Sequence, residues 1–173
     1  EFKGKIREDL RGWYKSVYSV KDKEKILLTT QFESTDARKA FPCFDQPDMK
    51  AKFLLMLNVS KDLDAVSNMP VKKSFVKDNL KKFVFEETPL MSTYLLAFVI
   101  GELDYVEGKS KNETKVRVYT TPGKKENGKL ALDVAIKSLD YYNEYFKIPY
   151  PLPKLDLIAI PDFESGAMEN WGL

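Results

Sequence analysis

The sequence predicts a mainly β chain in which antiparallel strands run to about Thr121 and one helix with further strands follows. Three observations carry this. Short runs rich in β-branched and aromatic residues recur between clusters of turn residues as far as Thr120. After Pro122-Gly123 the apolar period changes from the two of a strand to the roughly 3.6 of a helix. Over 173 residues, 43% apolar and 31% charged is the balance of an ordinary globular chain able to bury a core.

In order, the strands are Ile26 to Glu33, Ala51 to Val59, Asp64 to Asn68, Val71 to Lys77, Leu80 to Glu86, Thr93 to Glu107 and Lys115 to Thr120. Ala51, Phe53, Leu55, Leu57 and Val59 share one parity, which assigns one face of that strand to the interior. Asp78-Asn79 and the Gly108 to Asn112 segment supply hairpin turns. Beyond Gly123, Leu132, Ala135, Ile136, Leu139, Tyr142 and Phe146 recur at helical spacing behind Asn127, the candidate cap. The helix must end near Ile148, because a residue before proline is disfavoured in the α region and Pro149, Pro151 and Pro153 cannot continue it. Its apolar face reads as no wider than burial requires, so it is a core element rather than a partner-binding stripe. Leu155 to Ile160 is then a strand, Pro161-Asp162 a turn and Gly166 to Asn170 an extended segment. The change of period places a domain boundary near residue 121, dividing the chain into 1–121 and 122–173.

Charge excludes more than it identifies. Twenty-eight basic against 26 acidic residues leaves +2, too balanced to name nucleic acid or an anionic membrane as partner. Tyr94 to Ile100, the most apolar run, is far short of the roughly 20 residues that cross a bilayer. A lone cysteine, Cys43, cannot close an internal disulfide, which fits a reducing compartment such as the cytoplasm and equally a fragment of an exported protein. Between Pro42 and Phe44 it reads as an inert, buried thiol. The absence of histidine removes His-based triads, His general bases and imidazole metal ligands together. Starting at Glu1 and stopping after Asn170-Trp171-Gly172, the chain reads as an excerpt of something longer.

Lys72, Lys73, Lys77, Lys81 and Lys82 read as a solvated face, and the sequons at Asn58 and Asn112 carry no weight without secretion. What remains are carboxylates in apolar surroundings. Glu33 closes the run Leu27-Leu28-Thr29-Thr30-Gln31-Phe32, where an exposed acid is the bland reading. Glu169 is harder to dismiss. Gly166 and Ala167 let another backbone approach, and Met168 and Trp171 offer apolar walls, a combination that suits a peptide groove.

Gly166-Ala167-Met168-Glu169-Asn170, preceded by Pro161-Asp162-Phe163, resembles the exopeptidase signature of the zinc aminopeptidases that carry a His-Glu-x-x-His motif. Upstream, Thr30-Gln31-Phe32-Glu33, Asp36-Ala37-Arg38, Phe41-Pro42-Cys43-Phe44-Asp45, Ser67-Asn68-Met69-Pro70, Met91-Ser92-Thr93-Tyr94-Leu95 and Ile148 to Lys154 are similar to that family in the family's order. The likeness covers nearly the whole chain. It is nearest to the puromycin-sensitive, antigen-trimming and tricorn-associated branch, with which Ala167 agrees where leukotriene hydrolase relatives carry a second glycine.

The resemblance implies that 1–121 is the later part of a saddle-shaped antiparallel β N-terminal domain and 122–173 the α+β start of a thermolysin-like catalytic domain. It implies Zn2+ in the parent enzyme, on ligands outside this chain, so that the chain alone is expected to be inactive. It also implies that Glu169 and Glu33 bind the α-ammonium of a peptide, with Gln31 in support. Gly166 and Ala167 would pair with the substrate backbone, and Met168 and Phe32 would line the first side-chain pocket. Arg38 is expected to pair with Asp36 or Asp45, with Phe41, Pro42 and Phe44 packed beneath. The expected partners are peptides with a free N-terminus and the remaining domains of the same enzyme. Two other readings stand beside this one: a non-catalytic module that captures peptide N-termini, and a β-domain interaction module whose likeness is only ancestral.

Overall fold

Alternation of side chains across a pleated strand explains most of the chain, which a computed structural model describes over residues 1–173. The chain divides into two compact units, Glu1–Glu102 with Ile160–Trp171 and Leu173, and Leu103–Ala159 with Gly172. No helix is long and apolar enough to cross a membrane, an observation that leaves β-barrels aside.

The first unit holds two antiparallel sheets. One has the order β1-β2-β7-β4, from β1 (Gly12–Val20), β2 (Lys23–Gln31), β7 (Phe98–Gly101) and β4 (Asp64–Ser67). The other is β3-β6-β5, from β3 (Met56–Ser60), β6 (Leu80–Phe85) and β5 (Val71–Lys77). The parity read for Ala51 to Val59 holds, since Phe53, Leu55, Leu57 and Val59 all pack on the core while Leu54, Met56 and Asn58 are exposed. That core gathers Phe32, Ala37, Phe83, Phe85, Met91, Leu96, Phe98 and Ile100 among others. Asp78 and Asn79 both have positive φ, the conformation a tight two-residue hairpin needs.

Three expectations give way here. β1 was not expected. Apolar residues occupy both its parities, Tyr14 and Tyr18 on one face, Val17 and the core-packed Trp13 on the other, so its alternation is masked. The run Thr93 to Glu107 is not one strand, because Thr93–Leu95 forms a 3₁₀ turn and the rest splits between β7 and β8 (Asp104–Lys109) in different sheets. Phe44 does not pack beneath the loop and is 79% exposed. Its neighbour Asp45 takes the inward position and accepts from the Arg38 backbone N–H at 2.8 Å and from its Nε at 3.1 Å. Asp36 pairs with Lys39 instead. Cys43 is half-buried, and burial raises its thiol pKa, as an inert cysteine requires.

In the second unit β9 (Lys115–Thr120) lies between β8, antiparallel, and β10 (Lys154–Ile158), parallel. α1 (Lys129–Phe146) packs on β8 and β9, with Leu132 and Ile136 against Gly108. Asn127 is not its cap. That position falls to Gly128, where any Cβ would meet Val118 and Val106 within 3.2 Å. Lys147, in the left-handed conformation, ends the helix just before Ile148-Pro149. Its apolar surface is wider than one sheet covers, for Leu139 alone is fully buried while Leu130, Val134, Tyr141, Tyr142, Tyr145 and Phe146 are exposed.

An ion network closes this unit. Asp156 takes two hydrogen bonds from Arg117, at 2.7 and 2.8 Å, and pairs with the Lys154 ammonium at 2.7 Å. Lys154 also donates to the Gly172 carbonyl at 2.6 Å. Nearby, the phenol of Tyr150 is pushed up to about 12, by burial first and by the Asp156 charge second. The folded state therefore holds this proton more tightly than the unfolded chain, and the resulting stability is intact below pH 10 and lost as pH rises to 12. Lys154 runs the other way, its pKa lowered by burial, so its contribution improves with pH up to its ordinary 10.5. Tyr150→Phe is expected to recover about 1 to 2 kcal/mol of the alkaline loss, after discounting for the partly exposed ring. Denaturant midpoints of both proteins on either side of pH 10 check this.

Candidate functional site

The sequence-predicted site residues all lie in the first unit, at the end of β2 and in the segment from Ile160 to Trp171. Gln31, the last residue of β2, is 6% exposed. Its Nε2 donates to Ser165 Oγ at 3.2 Å and lies 3.6 Å from Met168 Sδ, while its Oε1 is buried with no partner. An unmet buried acceptor costs about 1 to 3 kcal/mol, so this oxygen suits a donor brought by a ligand. Phe32 follows at 1% exposure, packed edge-on against Phe41 and Phe98 in the core. It therefore does not line a side-chain pocket; it fixes the point where the chain leaves the sheet, and Glu33 emerges beyond it exposed, with a cis peptide to Ser34.

The segment bearing Glu169 is tied down at both ends. At its start, Asp162 accepts from the Val17 N–H at 3.0 Å and donates its own N–H to Ser16 Oγ at 3.0 Å, while the Tyr14 hydroxyl donates to its carbonyl at 2.8 Å. At its end, Asn68 Nδ2 donates to the Trp171 carbonyl at 2.9 Å and to the Leu95 carbonyl at 2.8 Å. Asn170 Nδ2 also reaches the Leu95 carbonyl, at 3.1 Å. Between these anchors the chain makes no β ladder, so Gly166 to Asn170 is not a strand of this fold. Gly166 has φ +74 with open space where a Cβ would stand, and the Ala167 N–H turns back to the Ser165 carbonyl at 2.9 Å.

Glu169 is exposed, and its Oε1 accepts from the Tyr94 hydroxyl at 3.4 Å. The Tyr94 phenol pKa is raised by burial, then by the charge of Glu169 and its hydrogen bond, and last by the charge of Glu33. The structure thus brings Gln31 to Ser165 and Met168, and it brings Tyr94 within the field of both acids. Neither carboxylate sits in a dry pocket, since Glu33 and Glu169 are both exposed.

Tyr14, Ser16, Asn68 and Tyr94 are the residues that sequence reasoning left without a role. Ser16 and Asn68 are polar residues inside strand-like apolar runs, which is the signal that a buried polar group has a partner to hold. The zinc implied by the sequence signature does not fit the residues present. No three His, Cys, Asp or Glu side chains group to hold a metal, and histidine is absent.

Comparison with known proteins bears directly on this arrangement. Residues 1–95 match the model of the peptidase M1 N-terminal domain, and residues 130–173 match that of the peptidase family M1 domain. Aminopeptidase M1-B of Oryza sativa is 56% identical over 173 residues, all of this chain and 20% of the relative. Puromycin-sensitive aminopeptidase of Caenorhabditis elegans is 53% identical over 176 aligned positions, all of this chain and 19% of the relative. Endoplasmic reticulum aminopeptidase 1 of Homo sapiens is 49% identical, over 99% of this chain and 18% of the relative. The chain thus spans about a fifth of the length of the curated relatives it matches. With the two family models matched in order and the signature Gly166 to Asn170 closing the second, the chain belongs to peptidase family M1.

Proposed function

We propose that this chain is the amine-recognition part of a zinc aminopeptidase that hydrolyses the first peptide bond of peptides with a free N-terminus. Glu169 and Glu33 bind the α-ammonium, and Gln31 supports it with the buried Oε1 that lacks a donor. Gly166 and Ala167 offer backbone to the substrate as an added strand, and Met168 flanks its first side chain. Zinc and its ligands belong to the remaining domains of the same polypeptide. The division into 1–121 and 122–173 is part of this reading, which is supported by Gln31 and Glu33 lying in the N-terminal match and Glu169 in the second.

The observation that carries it is that one hydroxyl, Tyr94 Oη, is influenced by both carboxylates: Glu169 accepts its hydrogen bond and the Glu33 charge adds to its raised pKa. Two carboxylates facing one point favour a cation there, and a charge-assisted hydrogen bond to an ammonium contributes about 1.5 to 3 kcal/mol. A blocked N-terminus leaves the pair unmatched. Fixing the amine also fixes the register, so that only the first peptide bond can react. The relatives, all named aminopeptidases, support the reaction class. We place the protein in the cytoplasm, where a lone free cysteine is at home.

The full-length protein is expected to cleave a free-amine peptide at least about 100-fold faster in kcat/KM than its N-acetyl form, two charge-assisted bonds being at stake. In the same assay the 173-residue chain alone should show no turnover, even with added zinc. Equal rates on free and acetylated peptides would remove the amine-binding role.

A further inference from the structure

We propose that Tyr94 is a third, positioning member of this site: its hydroxyl donates to Oε1 of Glu169 and so holds the carboxylate with Oε2 facing the ammonium. The inference rests on the amine-binding reading above and adds to it the group that orients one of the acids.

An exposed glutamate samples several rotamers, and ordering it on ligand binding opposes affinity. Glu169 has such a free end, yet a fixed donor stands 3.4 Å from it. Tyr94 is fixed by its ring, which packs on the core cluster, and by its main chain in the Thr93–Leu95 3₁₀ turn. The carbonyls of that turn accept from Asn170 Nδ2, at 3.4 Å for Tyr94 and 3.1 Å for Leu95. Asn68, 1% exposed, donates to the Leu95 carbonyl and accepts from the Ala97 N–H at 2.8 Å each. The same Asn68 amide holds the Trp171 carbonyl at 2.9 Å. Two asparagines therefore tie the turn that carries the phenol to the segment that carries Glu169. The separation of hydroxyl and carboxylate is set by buried groups, although both side-chain tips reach solvent.

A phenol is also the right donor chemically. Lysine or arginine in its place would neutralise Glu169 and compete with the substrate's ammonium, whereas a neutral hydroxyl orients the carboxylate and leaves its charge available. A phenol is protonated, and hence a donor, throughout the neutral range, and its surroundings here shift it further upward, by burial first.

The test is a double-mutant cycle in the full-length protein with a free-amine dipeptide substrate. Tyr94→Phe keeps the ring on the core and removes only the hydroxyl. It is expected to raise KM about three- to tenfold with kcat within about twofold. In the Glu169→Gln background the same change should have no further effect, because the charge that the hydroxyl aims at the ammonium is already gone. Unchanged KM in Tyr94→Phe beside a raised KM in Glu169→Gln overturns the positioning role and leaves the amine site standing. Effects that multiply in the double variant overturn it too. Unchanged KM in Glu169→Gln itself removes the amine-binding reading and this inference with it. Should Tyr94→Phe lower the melting temperature, 3-fluorotyrosine at position 94 decides the matter. Its more acidic phenol on the same ring donates a stronger hydrogen bond, so it should lower KM at neutral pH, and an unchanged KM counts against the proposal.

Discussion

Removing the carboxylate of Asp156 is expected to cost about 3 to 5 kcal/mol and to open the β9–β10 pairing, the largest stability loss available outside the main core. Asp156 is 1% exposed and Lys154 3%, so neither charge has water as an alternative partner. With Asp156→Ala, Arg117 keeps its charge at any accessible pH, and Lys154, already lowered by burial, keeps only the Gly172 carbonyl. Two cations would then lie together around an empty space. Lys154→Met should cost less, because Arg117 still matches Asp156 through two parallel bonds at 2.7 and 2.8 Å and the methionine fills the volume. Hydrogen exchange of the β9 and β10 amides in the full-length protein measures both changes. If Asp156→Ala and Lys154→Met lose equal protection, the carboxylate is not the centre of the network.

Much of this architecture was legible in the order of residues, and the omissions have physical causes. Phe53, Leu55, Leu57 and Val59 alternate cleanly because this extended segment, of which Met56–Ser60 is the strand, has one wet face, and period-two reasoning works there. β1 hid because Trp13 and Val17 are apolar on the side opposite Tyr14 and Tyr18, so no alternation separates inside from outside. Thr93 to Glu107 looked like one strand because composition cannot register a 3₁₀ turn or a change of sheet at Glu102-Leu103. Glu33 and Glu169 stood out as carboxylates in apolar runs, and the family resemblance gave them a context and added Gln31. Asn68 and Tyr94 did not stand out, since what they do depends on partners up to 103 positions away that only the fold brings near. The Arg117-Lys154-Asp156 network was hidden for the same reason, three ordinary surface residue types that register pairing of β9 with β10 turns inward.

On the proposed reading, charge removal at the two acids should have the largest effect on activity. Glu169→Gln and Glu33→Gln keep shape and hydrogen-bonding capacity but withdraw the charge that an ammonium needs. Each is expected to lower kcat/KM for a free-amine peptide about 10- to 100-fold, the worth of one charge-assisted hydrogen bond. The double variant should lose less than the product of the two, because both acids serve one ammonium and a single remaining acid no longer suffers its neighbour's repulsion. The residual turnover of an N-acetyl peptide should be untouched by either substitution, since that substrate presents no cation to miss. Selectivity for the free amine, the ratio of the two rates, would therefore collapse while the slower rate stays constant. A purely structural role for these residues predicts the opposite, both rates falling together with the melting temperature. The exposure of Glu33 and Glu169 argues against such a fall, because surface substitutions away from the core usually change stability by about 0.5 kcal/mol or less. Unchanged selectivity in both single variants would instead favour a chain whose β domain serves interaction alone.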